Sequence, residues 1–167
     1  MIFGTVGTHT QGFDRLVLAL DEWAHGAGEP VVIQTGASQY QPRHAEWFRF
    51  DSPERIESLI RDARVVVTHA GAGSLLTALE CGRSVLAVPR LASLGEHFDN
   101  HQVELCEALE QAGLIRVATE LSDLTRMLAL EPLPAVWSQA PRRQLTETIA
   151  DAVAALSPTR GQLRPDR

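Results

Sequence analysis

Short apolar runs alternate with amphipathic ones along this chain. Ile2 to Val6, Pro30 to Thr35, Arg64 to Thr68 and Ser84 to Val88 are brief, rich in apolar residues and bounded by glycine, proline or polar positions. Runs of that kind read as strands, and Arg64 to Thr68, continuous in β-branched residues, as one buried on both faces. Glu46 to Phe50 predicts another short strand, and Leu114 to Ala118 a last one. Between them the apolar period changes to about 3.6 residues, the helical value. Phe13, Leu16, Val17, Leu20 and Ala24 mark a helix from about Phe13 to His25, closed by Gly26 and Gly28. Ile56, Leu59, Ile60 and Ala63 mark the next. Ser52-Pro53-Glu54 starts it, because serine caps a helix, proline suits its first position and acids favour its first turn. Further helices are predicted from Ala72 to Cys81, from about His97 to Ala112 and from Ser122 to Leu130.

This alternation predicts an α/β fold, a Rossmann-like doubly wound parallel sheet. Residues 1–130 read as one domain. Pro132 and Pro134 mark a break, and a helix from about Arg142 to Leu156, with Leu145, Ile149, Val153 and Leu156 on one face, makes 131–156 a C-terminal helical extension. Residues 157–167 hold two prolines, a glycine and charges, and are expected to be a disordered tail.

Composition narrows the class. The chain has 167 residues, 44% apolar and 22% charged, which suits a globular domain able to bury a core. Its net charge of −6 and lack of a long basic run argue against a nucleic-acid partner. Met1 to Val6 is too short for a signal peptide and has no basic flank, and no stretch approaches the roughly 20 apolar residues of a membrane span. Cys81 and Cys106 fall in predicted helices and read as separate core thiols in a reducing cytoplasm rather than as a disulfide.

Four constellations could carry chemistry. His69-Ala70-Gly71-Ala72-Gly73-Ser74 joins a strand to a helix. A helix start carries orphan N–H groups and partial positive charge, glycines let a ligand approach the backbone, and the Ser74 hydroxyl adds a donor. The residues alone leave a phosphate cradle and a plain tight turn equally open. The turn lacks the third glycine of a dinucleotide fingerprint, the Gly-Lys-Ser/Thr of a P-loop and the elbow of a serine hydrolase. Glu80 lies six residues past Ser74, roughly 9 Å along a helix axis, a suitable reach to a ribose if a diphosphate sits at the helix start. A solvated glutamate is the plainer reading. Gly95 to Gln102, containing Asp99, Asn100, His101 and Gln102, is dense in hydrogen-bonding groups at the same sheet edge. There it could read sugar hydroxyls or simply cap a helix, and the His97/His101 spacing lacks the further ligands of a metal site. Gly7, Thr8 and His9 follow the first strand, and His9 could act on an acceptor hydroxyl.

Phe3-Gly4-Thr5-Val6-Gly7-Thr8 with Phe13-Asp14-Arg15-Leu16, then Val67 to Ser74, Glu80 and Asp99-Asn100-His101-Gln102, together resemble the C-terminal, nucleotide-sugar-binding half of a family 28 glycosyltransferase of the GT-B type. The resemblance is greatest to small donor-binding subunits of two-subunit transferases, those of lipid-linked chitobiose synthesis and their bacterial exopolysaccharide counterparts. It covers roughly residues 1 to 130. It implies a UDP-sugar donor (UDP-glucuronate, UDP-glucose or UDP-N-acetylglucosamine) and inverting hexosyl transfer with no cofactor and no metal. It implies donor contacts at Gly7, Thr8, His69, Gly71, Ala72, Gly73, Ser74, Glu80, Asn100, His101 and Gln102, with Glu80 holding the ribose, and it makes His9 and Glu80 the catalytic candidates. A GT-B enzyme has two Rossmann-like halves and this chain resembles one. A separate membrane-anchored subunit is therefore expected to hold a lipid-pyrophosphate-linked sugar acceptor and to recruit the chain to the inner face of the membrane. The C-terminal helix and Trp137 are candidates for docking it, although that helix could equally pack on its own sheet. The general base could belong to that partner. A non-catalytic nucleotide-sugar-binding module is the alternative. A dinucleotide enzyme is disfavoured, because Gln34 and Thr35 stand where it would need an acid.

Overall fold

The computed structural model describes residues 1–98, 101–130, 132, 147 and 149–151, with residue 101 described in its backbone alone. Six strands, β1 (Ile2–Thr5), β2 (Val31–Gln34), β3 (Glu46–Phe48), β4 (Val65–Thr68), β5 (Ser84–Ala87) and β6 (Arg116–Val117), form one sheet in the order β3-β2-β1-β4-β5-β6. All neighbouring strands are parallel, with Ile2 of β1 opposite both Val31 and Val65. Every residue of β1, β2, β4 and β5 is buried, which is why those runs are apolar without alternation.

The period of two along each strand divides the core between the faces. Phe3, Val32, Val66 and Val85 point to one face, which is covered by α2 (Pro53–Asp62), α3 (Ala72–Glu80) and α4 (His101–Gln111). Ile2, Ile33, Val67 and Leu86 point to the other, covered by α1 (Asp14–Gly26) and α5 (Leu121–Leu128). The expected doubly wound α/β sheet is therefore present, with most elements ending a residue or two inside the expected bounds. Ser52 caps α2 as expected, its Oγ accepting from the Arg55 N–H at 3.2 Å, with Pro53 in the first turn.

One helix differs more. α4 is described from His101, and His97 and Phe98, where its start is expected, are not helical; they follow a single 3-10 turn, Ala92–Leu94, closed by Gly95 in the left-handed region, φ 68°. A second feature was not legible beforehand: Asp21 of α1 is buried and its carboxylate accepts from the Tyr40 hydroxyl and from the N–H groups of Arg43, His44 and Ala45 at 2.7–2.9 Å. It orders the polar loop between β2 and β3.

Both cysteines are free thiols, and burial pushes the Cys106 thiol up to about 12. Among the described residues no helix is long and apolar enough to cross a membrane. Residue 147 and residues 149–151 are helical, and Ile149 packs half-buried against the face of the core that carries α2 and α3. Trp137, the tail 157–167 and most of the C-terminal extension lie outside the described residues.

Candidate functional site

In the order 3-2-1-4-5-6 the winding reverses between β1 and β4, so the loops leaving their carboxyl ends diverge and open a crevice. That crevice is a cleft of about 860 Å³. Thr5, Gln34 and His69 lie at its base, Gly7, Thr8, His9 and Thr10 at one rim. Gly71, Gly73, Ser74 and Thr77 of the β4–α3 turn and α3 line one wall. The other wall is Phe50 and Asp51 with one stripe of α2: Pro53, Ile56, Glu57 and Ile60. The Thr5 hydroxyl donates to the Gln34 side-chain oxygen and accepts from the Gly7 N–H, so the base of the cleft is internally tied.

The glycine turn is built around a histidine. A Cβ on Gly7 would lie 2.5 Å from His69 Cε1, and one on Gly71 would lie 2.3 Å from His69 Nε2. The imidazole thus fills the space two absent side chains leave, between the β1 loop and the β4 turn. Burial pushes the His69 pKa down to about 4, the Arg90 charge adds to that, and a hydrogen bond to the Thr5 carbonyl opposes it without prevailing. His69 is therefore an uncharged plate at neutral pH. Next to it, Ala70 is held at φ 64°, a left-handed conformation that costs a non-glycine residue about 1 kcal/mol. α3 then starts at Gly71 with no side-chain cap. A left-handed residue ahead of an uncapped helix start collects N–H groups on one side, a geometry that binds anions.

The neighbouring loop is fastened by Arg90, which is fully buried. Its guanidinium donates to the carbonyls of Val6, Gln11, Gly12 and Glu96 at 2.8–3.2 Å and lies 4.8 Å from the centre of the Phe13 ring. Glu96 in turn pairs with Arg15 through both carboxylate oxygens at 2.8 Å, one of which also accepts from the Leu91 N–H at 3.0 Å. The loops after β1 and β5 are thereby locked together. His9, carried on that lock, accepts the Gln11 N–H at Nδ1, 3.2 Å away, which leaves its ring proton on Nε2. In this tautomer His9 offers a donor, not a base, and its ring sits 5.6 Å from that of His97 and 6.0 Å from that of Phe98.

Of the residues singled out from sequence, Gly7, Thr8, His9, His69, Gly71, Gly73 and Ser74 line this one cleft. Ala72 and Glu80 do not, and on α3 the lining stops at Thr77. Gln102 is half-buried outside it, its side-chain oxygen accepting from the Arg90 N–H at 3.2 Å. His101 opens α4 by its backbone, and Asn100 lies outside the described residues together with Asp99. Among the described residues no three His, Cys, Asp or Glu side chains gather as metal ligands. The sequence reading missed the α2 wall, although Pro53, Ile56, Glu57 and Ile60 stand at i, i+3, i+4 and i+7, the spacing that would have put them on one face. It also missed Arg90, for which an arginine at the start of a polar loop gives no signal.

A 3-2-1-4-5-6 parallel sheet with an uncapped, glycine-turned helix start at its switch point defines a Rossmann-like domain with a ligand cleft at that point. The chain belongs to the glycosyltransferase family 28 C-terminal domain family, whose model matches residues 1–133. It is 36% identical over 87 residues to the UDP-N-acetylglucosamine transferase subunit ALG13 of Cryptococcus neoformans, a match covering 50% of this chain and 40% of that protein. The chain thus spans less than half the length of that relative. In fold it is similar to the glycotransferase of kitacinnamycin, with a TM-score of 0.62 at 20% identity over 92% of this chain and 42% of that one. It is also similar to a solution structure of ALG13, with a TM-score of 0.58 at 20% identity over 89% of this chain and 96% of that one.

Proposed function

We propose that this chain binds a UDP-sugar in the switch-point cleft and is the donor-binding, catalytic subunit of an inverting glycosyltransferase. Its acceptor is a lipid-pyrophosphate-linked sugar presented by a separate membrane-anchored subunit, through which the chain is held at the cytoplasmic face of a membrane. The observation that carries this reading is the bare start of α3 beside the left-handed Ala70, facing a cleft of nucleotide-sugar size. Membership of family 28 and the likeness to a UDP-N-acetylglucosamine transferase subunit support it.

In this reading the diphosphate sits at Gly71, Gly73 and Ser74, the nucleoside runs between α2 and α3, and the sugar lies toward Thr8 and His9. The acceptor oxygen bonds to the anomeric carbon from the face opposite the diphosphate. The bond from that carbon to the β-phosphate oxygen breaks, and its electron pair leaves with UDP. Charge then grows where the α3 N–H groups and dipole already point, so the departing UDP is stabilised more than the bound donor. In the same reading His9 Nε2–H donates a hydrogen bond to the bound UDP-sugar. The proton of the acceptor hydroxyl goes to a base outside this set, supplied by the partner subunit.

The test is transfer of labelled sugar from UDP-N-acetylglucosamine, UDP-glucose and UDP-glucuronate to a lipid-pyrophosphate acceptor, with the full chain alone and with its membrane partner. Turnover with one donor, requiring both subunits, is expected. Failure of the chain to bind any UDP-sugar, with no transfer in any membrane preparation, overturns the reading. Loss of complex assembly in a His9→Ala variant, with turnover never dependent on this chain, would instead indicate a non-catalytic binding module.

A further inference from the structure

We infer that the carboxylate reading the ribose diol of the nucleotide is Glu57 of α2, and not Glu80, with Thr77 on the α3 wall, whose hydroxyl donates to the Gly73 carbonyl at 3.0 Å and is left to accept. The inference rests on the nucleotide reading above and assigns its nucleoside end. A diphosphate at Gly71, Gly73 and Ser74 leaves the groove between α3 and α2 as the space for the nucleoside, since Thr77 on one wall and Glu57 on the other both line it. Glu57 stands on the cleft-facing stripe of α2 between Ile56 and Ile60, and it is the carboxylate of that stripe. Thr77 is three residues past Ser74, about 4.5 Å along the axis. That step suits the distance from a phosphate to the ring hydroxyls of the ribose it esterifies. Glu80 is a further turn along α3, where the lining has ended.

Two features prepare Glu57 for the task. Arg61, one turn later on α2, pairs with one of its oxygens, which restricts the side chain. The side chain is still 46% exposed and lines the cleft, which leaves its other lone pairs open to a ligand. A carboxylate can accept from both hydroxyls of a cis-diol, and a ligand lacking the 2′-hydroxyl forfeits one of two charge-assisted hydrogen bonds.

The experiment titrates the full chain with UDP and with 2′-deoxyuridine diphosphate by calorimetry. The wild type is expected to favour UDP by about tenfold. Glu57→Gln should bring the two nucleotides within about twofold of each other by weakening UDP alone. Thr77→Val should remove a smaller part of the preference, and Glu80→Gln should keep it whole. Retained binding of the deoxynucleotide by Glu57→Gln confirms that the cleft is intact. The inference is overturned if Glu57→Gln keeps the preference, if it weakens both nucleotides equally, if Glu80→Gln abolishes the preference, or if the wild type has none. In each of those cases UDP still binds the wild type and the nucleotide reading stands. Binding of neither nucleotide to the wild type removes both.

Discussion

Two helix starts flank the cleft, and the chain treats them in opposite ways. α2 is closed within itself: Ser52 takes the Arg55 N–H and Pro53 has no N–H to satisfy. α3 starts at Gly71 without a side-chain cap and follows a strained Ala70. A capped start contributes about 1 kcal/mol to its own helix, whereas a bare one keeps its donors for something else. The bare start is not loose, however. It is held by neighbours that α2 does not need: His69 between two glycines, and Arg90 behind the β1 loop. The cost of leaving donors open is met by buried polar groups a short distance away.

The largest effect should come from breaking that support. Arg90→Met removes a fully buried guanidinium and strands the carbonyls of Val6, Gln11, Gly12 and Glu96. A loss of about 3–5 kcal/mol in urea unfolding is expected. Arg90→Lys keeps the charge but not the planar fork, so it should recover only part of that loss. A change below about 1 kcal/mol in Arg90→Met would mean that the two loops are held by something else.

His69 gives the next effect, and its sign is set by a folded-state pKa of about 4 against an ordinary value of 6.5. Between those values the unfolded chain takes up a proton that the folded chain refuses. The contribution is therefore fully present above pH 6.5, falls as pH drops toward 4, and levels off below it. The loss across that window should approach 3 kcal/mol as an order-of-magnitude ceiling. Stability measured from pH 7 to pH 4 should fall more steeply for the wild type than for His69→Gln. Equal slopes would show that the ring titrates normally and is no neutral plate.

The contrast between the helix starts also separates what could be read in the sequence from what could not. Strands β1, β2, β4 and β5 were legible because burial on both faces leaves an unbroken apolar run. The α2 start was legible because a cap, a proline and an acid are local signals. The glycine turn was legible as a turn, but its role depends on His69 and Gly7, sixty-two positions apart in sequence and in contact in space. Glu80 was placed by distance along α3 alone, whereas the lining of the cleft on α3 stops at Thr77 and its other wall comes from α2. Arg90 and Asp21 were out of reach for the same reason: their partners are backbone groups of distant loops, and backbone groups leave no trace in a sequence.

Gly71→Ala tests the close approach itself. The added Cβ would fall 2.3 Å from His69 Nε2, so either the ring or the turn must move. Overpacking of this kind costs about 1–3 kcal/mol, and the displaced turn should also weaken binding of UDP. The double variant Gly71→Ala with His69→Ala removes the obstacle. Its loss of stability should then be smaller than the sum of the two single losses, a coupling read from a double-mutant cycle. Simple additivity would mean that the glycine is required by something other than the histidine.

The smallest expected effect lies at the other helix start. Ser52→Ala removes the oxygen that accepts the Arg55 N–H, and a lost cap costs about 1 kcal/mol. The same substitution leaves Phe50, Glu57 and the α3 turn in place, so the affinity for UDP should change by less than about twofold. Gly71→Ser is the mirror experiment, since a serine at the α3 start could cap it. Its Cβ, however, meets the same histidine at 2.3 Å, so the cap cannot be gained without displacing the ring. A loss of UDP affinity in Gly71→Ser, with none in Ser52→Ala, is the outcome that the two starts demand if one is structural and the other is kept for a ligand. Equal sensitivity of binding at both would mean that the cleft depends on the walls as a whole, and that the bare start of α3 holds no special place in it.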